Sequence, residues 1–259
     1  MKVVILAGGL GTRLNEETSV IPKPMVRIGG KPIIWHIMKI YAHYGFNEFI
    51  ICLGYKGEVI KEYFLNYLHK NSDITINIKN GEEKIEIHNS SYENWKVTLI
   101  DTGSKTQTGG RIKKIQRYIG DKTFMVTYGD GLGDINIKEL LEFHKNHGKL
   151  ATITTVKPIA RWGNLNINDF DQITSFEEKS GESDVWINGG FMVFEPNVFG
   201  YIEGDETHLE KDPLENLAKK DQLMSYKHKK FWKPMDTLRE KHELEDLWKS
   251  GNAPWKIWS

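Results

Sequence analysis

Residues 3–13 read Val3-Val4-Ile5-Leu6-Ala7-Gly8-Gly9-Leu10-Gly11-Thr12-Arg13, a short aliphatic run that breaks at once into glycines, a threonine and an arginine. A compact β-branched run suits a strand covered on both faces, and therefore a parallel sheet. Gly8, Gly9 and Gly11 tolerate positive φ and let another molecule approach the backbone. Arg13 adds a planar fork of donors suited to phosphate oxygens. The stretch predicts a strand followed by an anion-binding loop, in an α/β fold whose ligands gather beyond the carboxyl ends of the strands. Two familiar phosphate loops are excluded by spacing. A P-loop requires Gly-Lys-Ser/Thr after four intervening residues, and a dinucleotide fingerprint requires a glycine where Leu14 stands.

Outward from this stretch, helical and extended segments alternate. Lys31-Pro32 opens the apolar helical run IIWHIMKIYAHYG, with Gly45 as its stop. FIICLGY reads as a second strand and EVIKEYFLNYLHK as an amphipathic helix. Residues from Asp73 to Asn94 are polar and β-leaning, an excursion from the main sheet. TFMVTYGDG at Thr123–Gly131 is a strand entering a turn, and Asn136 with Glu139 caps the helix that follows. ATITTV, QITSFEEK and GGFMVF read as strands around a cleft. Thr237 and Glu240 form a capping box ahead of a helix with Leu238, Leu244, Leu247 and Trp248. The alternation predicts an α/β fold, a mostly parallel sheet with helices on both faces, with a small β excursion and a C-terminal extension.

Composition narrows the partners. A chain of 259 residues accommodates one elaborated α/β domain. Its 35 basic and 35 acidic residues leave no net charge, which argues against a surface that tracks nucleic-acid phosphates. No apolar run approaches the ~20 residues that span a bilayer, and the start lacks a signal-peptide pattern. No membrane partner and a cytoplasmic location are the expectation. The single cysteine, Cys52 in FIICL, excludes an intrachain disulfide and a multi-thiolate zinc site, and reads as a small core residue. The nine histidines show no HExxH-type metal spacing.

Several side chains remain for chemistry. Asp130, between Gly129 and Gly131 at a strand end, suits Mg²⁺, an ion that prefers carboxylate and phosphate oxygens; an ordinary Asp-Gly turn is the alternative. Asp236 supplies either a second carboxylate or a helix-start acid. Lys23 lies between Pro22 and Pro24, whose rings stiffen the backbone on either side. Arg111 in TQTGGR and Lys179 in FEEKS are further cations, and a solvated role is the alternative for each.

These residues fall in an ordered set of motifs: LAGGLGTRL, PKPM at Pro22–Met25, GGKPI, TGGR at Thr108–Arg111, YGDG at Tyr128–Gly131, FEEK at Phe176–Lys179, INGGF at Ile187–Phe191 and FWKPMDTLREK at Phe231–Lys241. Over essentially its whole length the chain resembles the sugar-1-phosphate nucleotidylyltransferases. EETxxxPKPM, WHIMKIY and the last motif are most similar to the cytidylyl branch. The resemblance implies a Rossmann-like nucleotide domain with Leu6, Ala7, Gly8, Gly9, Leu10, Gly11, Thr12 and Arg13 wrapped around a nucleotide. Arg13 and Lys23 would meet its phosphates, with Thr106, Arg111 and Gly129 beside it. Asp130 and Asp236 would hold Mg²⁺. Glu178, Lys179, Asn188 and Gly189 would receive a sugar phosphate, with Lys179 on its phosphate. Arg13, Lys23 and Lys179 are then the catalytic cations.

The same resemblance implies CTP and glucose 1-phosphate as substrates and a homo-oligomer, with a hexamer among the assemblies of that branch. Residues 1–259 would form one domain: a nucleotide-binding core at 1–135, a sugar-phosphate-binding part at 136–235, and a C-terminal helix and tail at 236–259. The attacking sugar-phosphate oxygen is already an anion, so no serine, cysteine or histidine nucleophile is needed. A uridylyl- or thymidylyltransferase, and a non-catalytic nucleotide-sugar-binding homologue, are the alternatives. The second should have lost a metal carboxylate or a phosphate cation, yet Arg13, Lys23, Asp130, Lys179 and Asp236 are all present. Two places depart from the branch pattern, Arg161-Trp162-Gly163, where phenylalanine is usual, and Thr207-His208-Leu209, which lacks a nearby tryptophan; silent aromatic or loop variation is the first reading and a change in the sugar accepted the alternative.

Overall fold

The computed structural model describes residues 1–11, 14–88, 93–158, 164–177 and 185–258, without the side chains of 15, 16, 164–167, 176 and 177. Val3 to Leu6 are all buried, as the aliphatic run requires. Among the described residues the main sheet has seven strands: β1 (Lys2–Leu6), β2 (Glu48–Leu53), β3 (Lys96–Asp101), β4 (Phe124–Tyr128), β5 (Ala151–Val156), β6 (Ile187–Phe194) and β7 (Leu223–His228). Their order is β7-β5-β6-β4-β1-β2-β3. Pairing is parallel except for β6, which runs antiparallel to both β4 and β5.

The principal helices are α1 (Ile33–His43), α2 (Gly57–Leu65), α3 (Thr108–Lys114), α4 (Ile137–His147), α5 (Asp212–Lys219) and α6 (Leu238–Lys249). Because side chains alternate along β1, its two faces enter different cores. Val3 and Ile5 pack with Ile37 and Tyr41 of α1, Ile60 of α2, Leu140 of α4 and Leu244 of α6. Val4 and Leu6 pack with Ile112 of α3 and Leu214 and Leu217 of α5. Both predicted caps form: Asn136 accepts from the Glu139 amide, and Thr237 and Glu240 make both arms of a capping box.

Three details differ from the sequence reading and one follows it. The predicted long helix breaks at Asn66, leaving α2 and a separate turn at Tyr67–Lys70. QITSFEEK does form a strand, Ile173–Glu177, but it pairs with Asn164–Ile167 in a small separate sheet. Its Ile173 is 55% exposed, so the segment has too little apolar surface to enter the main sheet. Asp73–Lys79 and Glu82–His88 form the expected β excursion as an exposed antiparallel hairpin. The C-terminal tail is no appendage, because Trp255 is fully buried in the same core as Val3 and Ile5.

Trp255 belongs to an aromatic cluster around His36. The His36 ring lies 5.1 Å from Trp35, 4.7 Å from Trp248 and 6.2 Å from Trp255, centroid to centroid. His36 Nε2 donates to the Ile28 carbonyl at 2.9 Å, and Trp255 Nε1 donates to His36 Nδ1 at 3.4 Å. A second ring proton would therefore point at an N–H donor. Burial pushes the imidazole pKa down from 6.5 to about 4. The unfolded chain then binds this proton more readily than the folded one, so stability is full above pH 6.5 and is lost as pH falls toward 4. The loss amounts to about 3 kcal/mol. Chemical denaturation at pH 7.5 and pH 4.5 should show this difference in wild type, and a smaller one in His36→Gln.

Candidate functional site

Strand order reverses at β1, with β2 on one side and β4 on the other, and such a reversal opens a crevice at the carboxyl ends. The glycine loop leaves β1 into this crevice. Its ends are pinned: the Ala7 amide donates to the Cys52 carbonyl at 3.0 Å, and the Gly129 amide donates to the Leu6 carbonyl at 3.1 Å. Gly11 turns the chain at φ +66°, a conformation that disfavours any side chain. A cleft of about 330 Å³ results, lined by Leu6, Ala7, Gly8, Gly9, Gly11, Lys23, Thr106, Arg111, Tyr128, Gly129 and Asp130 among others. Leu10 points away, 57% exposed. A second cleft of about 340 Å³, lined by Met25, Arg27, Gly30, Lys31, Glu62 and Tyr63 among others, contains none of the candidate site residues.

The glycines serve two ends. A Cβ on Gly9 would meet no atom within 4 Å, so this position keeps the cleft open. A Cβ on Gly8 would fall 2.1 Å from Arg111 Nη1, so here the missing side chain makes room for the protein's own guanidinium. Arg111 is only 4% exposed. Its Nη1 donates to the Leu53 carbonyl (2.9 Å), Thr102 Oγ1 (2.7 Å) and the Gly103 carbonyl (2.8 Å), and its Nη2 donates to the Gly8 carbonyl (2.9 Å). Arg111 thus lines the cleft as a strut joining the ends of β1, β2 and β3. Thr106 is likewise engaged, donating to Asp205 Oδ2 at 3.2 Å and accepting from Lys114 Nζ at 3.1 Å.

Lys23 lies between the two predicted metal carboxylates. Pro22 leads into a one-turn 3₁₀ helix, Lys23–Met25, which fixes the Lys23 backbone beside the cleft. Its Nζ lies 2.7 Å from Asp130 Oδ2 and 2.5 Å from Asp236 Oδ1. The acids are distant in sequence and meet through a short ladder. Gly131–Gly133 pairs antiparallel with Trp232–Pro234, and the Met235 amide donates to the Asp130 carbonyl at 2.8 Å. The Asp236 amide in turn donates to Glu240 Oε2 at 2.8 Å at the start of α6. Burial disfavours the Lys23 charge, yet Asp130 and Asp236 more than offset this and hold its pKa above the usual lysine range.

Among the residues that the resemblance assigns to a sugar phosphate, Asn188 Nδ2 donates to the Tyr128 hydroxyl at 3.2 Å, and Asn188 Oδ1 accepts from the Gly190 amide at 2.9 Å. The Gly189 carbonyl accepts from Trp232 Nε1 at 2.8 Å. Thr12, Arg13, Glu178, Lys179 and the Arg161–Gly163 departure lie outside the described residues. At the other departure, the Thr207 carbonyl accepts from the Gly110 amide, which packs that loop on α3.

The nucleotidyl transferase family profile matches residues 2–239. The chain belongs to this family. It is 53% identical over 259 residues, the whole of both chains, to the glucose-1-phosphate cytidylyltransferases of Salmonella typhimurium and of Salmonella typhi. The crystal structure of HddC from Yersinia pseudotuberculosis complexed with GMP-PN superposes with a TM-score of 0.68 at 25% identity, covering 95% of this chain and 99% of that one.

Two residues of this nucleotidyl transferase were not singled out from sequence, Tyr128 and Glu210. The Tyr128 hydroxyl donates to Glu210 Oε1 at 2.6 Å while accepting from Asn188, and burial raises its pKa, so it stays neutral. Glu210 also accepts from Thr108 Oγ1 at 2.6 Å. The chain joins the two sides of the cleft through Thr108, Glu210, Tyr128 and Asn188. Tyr128→Phe removes the central hydroxyl and frees the Asn188 amide. The expected result is a KM for the sugar phosphate raised about tenfold, as for the loss of one hydrogen bond near a bound ligand, with the KM for nucleotide little changed in steady-state assays.

Proposed function

We propose that the protein transfers CMP from CTP to α-D-glucose 1-phosphate, forming CDP-glucose and releasing pyrophosphate. The observation that carries this reading is the meeting of Lys23, Asp130 and Asp236 beside a glycine-lined cleft at the sheet's switch point. Full-length identity of 53% to two glucose-1-phosphate cytidylyltransferases supports the choice of base and sugar.

The donor set suits a hard divalent cation: two carboxylate oxygens already converge on one cationic atom, the Lys23 ammonium. Among the described residues no cluster of three or more His, Cys, Asp or Glu could hold a metal. Two carboxylates fit Mg²⁺, which completes its coordination with water and substrate phosphate. Bound there, Mg²⁺ would neutralise negative charge on the phosphate oxygens. Arg13, Lys23 and Lys179 take the remaining phosphate charge, and the amides of the glycine loop orient the triphosphate. Asn188 and Gly189, with Glu178, hold the sugar.

In the reaction an oxygen of the sugar phosphate bonds to the α-phosphorus of CTP while the bond to the bridging oxygen breaks, and pyrophosphate leaves with that electron pair. Positioning two polyanions and neutralising their charge is what such a step demands of a protein. The test is pyrophosphate release with Mg²⁺, glucose 1-phosphate and, separately, CTP, UTP, dTTP, GTP and ATP. Release with CTP should far exceed the rest; a dominant rate with another nucleotide would overturn the assignment of the base.

A further inference from the structure

Lys23 Nζ occupies the space between the two carboxylates that the proposed metal would need. The carboxylates do not rely on Lys23 for their proximity. The Gly131–Gly133 and Trp232–Pro234 ladder and the Met235-to-Asp130 hydrogen bond set it through the backbone. Two carboxylates held so close repel, and the Lys23 ammonium between them offsets part of that repulsion. The Lys23 side chain is only 9% exposed and that of Asp236 13%, against 33% for Asp130, so bulk water screens the Lys23–Asp236 pairing little and the Asp130 pairing more. A divalent cation binding the same oxygens has to displace the ammonium, which then requires another anion.

We infer that Lys23 is a resident counter-ion: in the nucleotide-free protein it competes with the divalent cation for Asp130 and Asp236, and the triphosphate draws it away. The backbone of Lys23 stays fixed in its 3₁₀ turn, while the four-carbon stem lets Nζ exchange carboxylate for phosphate within the adjoining cleft. Metal and nucleotide thereby bind with positive coupling, because each removes the partner that opposes the other. The repulsion between the carboxylates is also reduced before substrate arrives. This inference rests on the metal reading proposed above.

Calorimetric titration of the nucleotide-free protein with Mn²⁺ tests it. Lys23→Met should bind Mn²⁺ about tenfold more tightly than wild type, within the ordinary range of coupling. Without metal the variant should melt lower than wild type, and Mn²⁺ should raise its Tm more than it raises the wild-type Tm. Lys23→Gln repeats the comparison with a side chain that keeps polarity. Equal or weaker Mn²⁺ binding in both variants, with equal Tm gains, would overturn the inference. Adding Asp236→Asn to Lys23→Met separates the two readings. If Mn²⁺ binding survives that change, the metal site itself is wrong and the inference falls with it. If binding is lost while wild type and Lys23→Met bind alike, only the counter-ion role fails.

Discussion

Asp130→Asn and Asp236→Asn should each lower kcat by about 10²–10³, the usual effect of removing one group that stabilises charge in the transition state. Each change removes a unit of negative charge and preserves shape. The amide oxygen can still accept from Lys23 Nζ, and the ladder that positions both residues is made by backbone atoms. Folding should survive, with melting within a few degrees of wild type. Both residues sit against Lys23, so the two losses should be less than additive in the double variant. Pyrophosphate release at saturating Mg²⁺ and CTP reads the effect, and thermal melts control for folding. Near-normal rates in both single variants would remove the carboxylates from the reaction.

Arg111→Met should be the most destabilising change at the site. Removing the guanidinium leaves the carbonyls of Gly8, Leu53 and Gly103 without this donor at the buried ends of three strands. A buried acceptor left unpaired costs about 1–3 kcal/mol. The Gly8 carbonyl keeps the Tyr55 amide and the Leu53 carbonyl keeps the Thr102 amide and hydroxyl, so the cost falls mainly on Gly103 and the expected total is about 1–3 kcal/mol. In a chain of this size that is a Tm lower by about 5 °C. Arg111→Lys should recover little, because one ammonium cannot reproduce a planar fork that reaches both Gly8 and Gly103. The glycine loop loses one of its two ties at the Gly8 carbonyl, so the KM for nucleotide should rise as well. A wild-type Tm in Arg111→Met would show that the strut is dispensable.

Where signals were local, the sequence was readable. The β1 strand and glycine loop follow from one aliphatic run and its interruption, and both helix caps follow from residues three apart. The direction of β6 was not readable, because an apolar strand buried on both faces has the same composition whichever way it runs. The fate of Arg111 was also hidden. Its identity announces donors, but only the absent Cβ atoms of Gly8 and Gly54 reveal that the acceptors belong to the protein; a Cβ on Gly54 would lie 2.6 Å from Arg111 Nη1. Glu210 reaches Tyr128 across 82 residues, with no spacing to betray it. Trp255 lies in a tail without periodicity, and its burial depends on a ring cluster assembled from α1 and α6. The Lys23, Asp130 and Asp236 set was named through the family resemblance, since each residue taken singly has an ordinary structural alternative. Their convergence on one atom required the three-dimensional structure.

The most direct measurement is the identity of the products formed from CTP, α-D-glucose 1-phosphate and Mg²⁺, followed by ³¹P NMR and mass spectrometry. The predicted result is CDP-glucose and pyrophosphate in equal amounts, with CTP untouched when the sugar phosphate is omitted. Unchanged CTP in the complete mixture, or its breakdown to CMP or CDP without a sugar nucleotide, would contradict nucleotidyl transfer to glucose 1-phosphate.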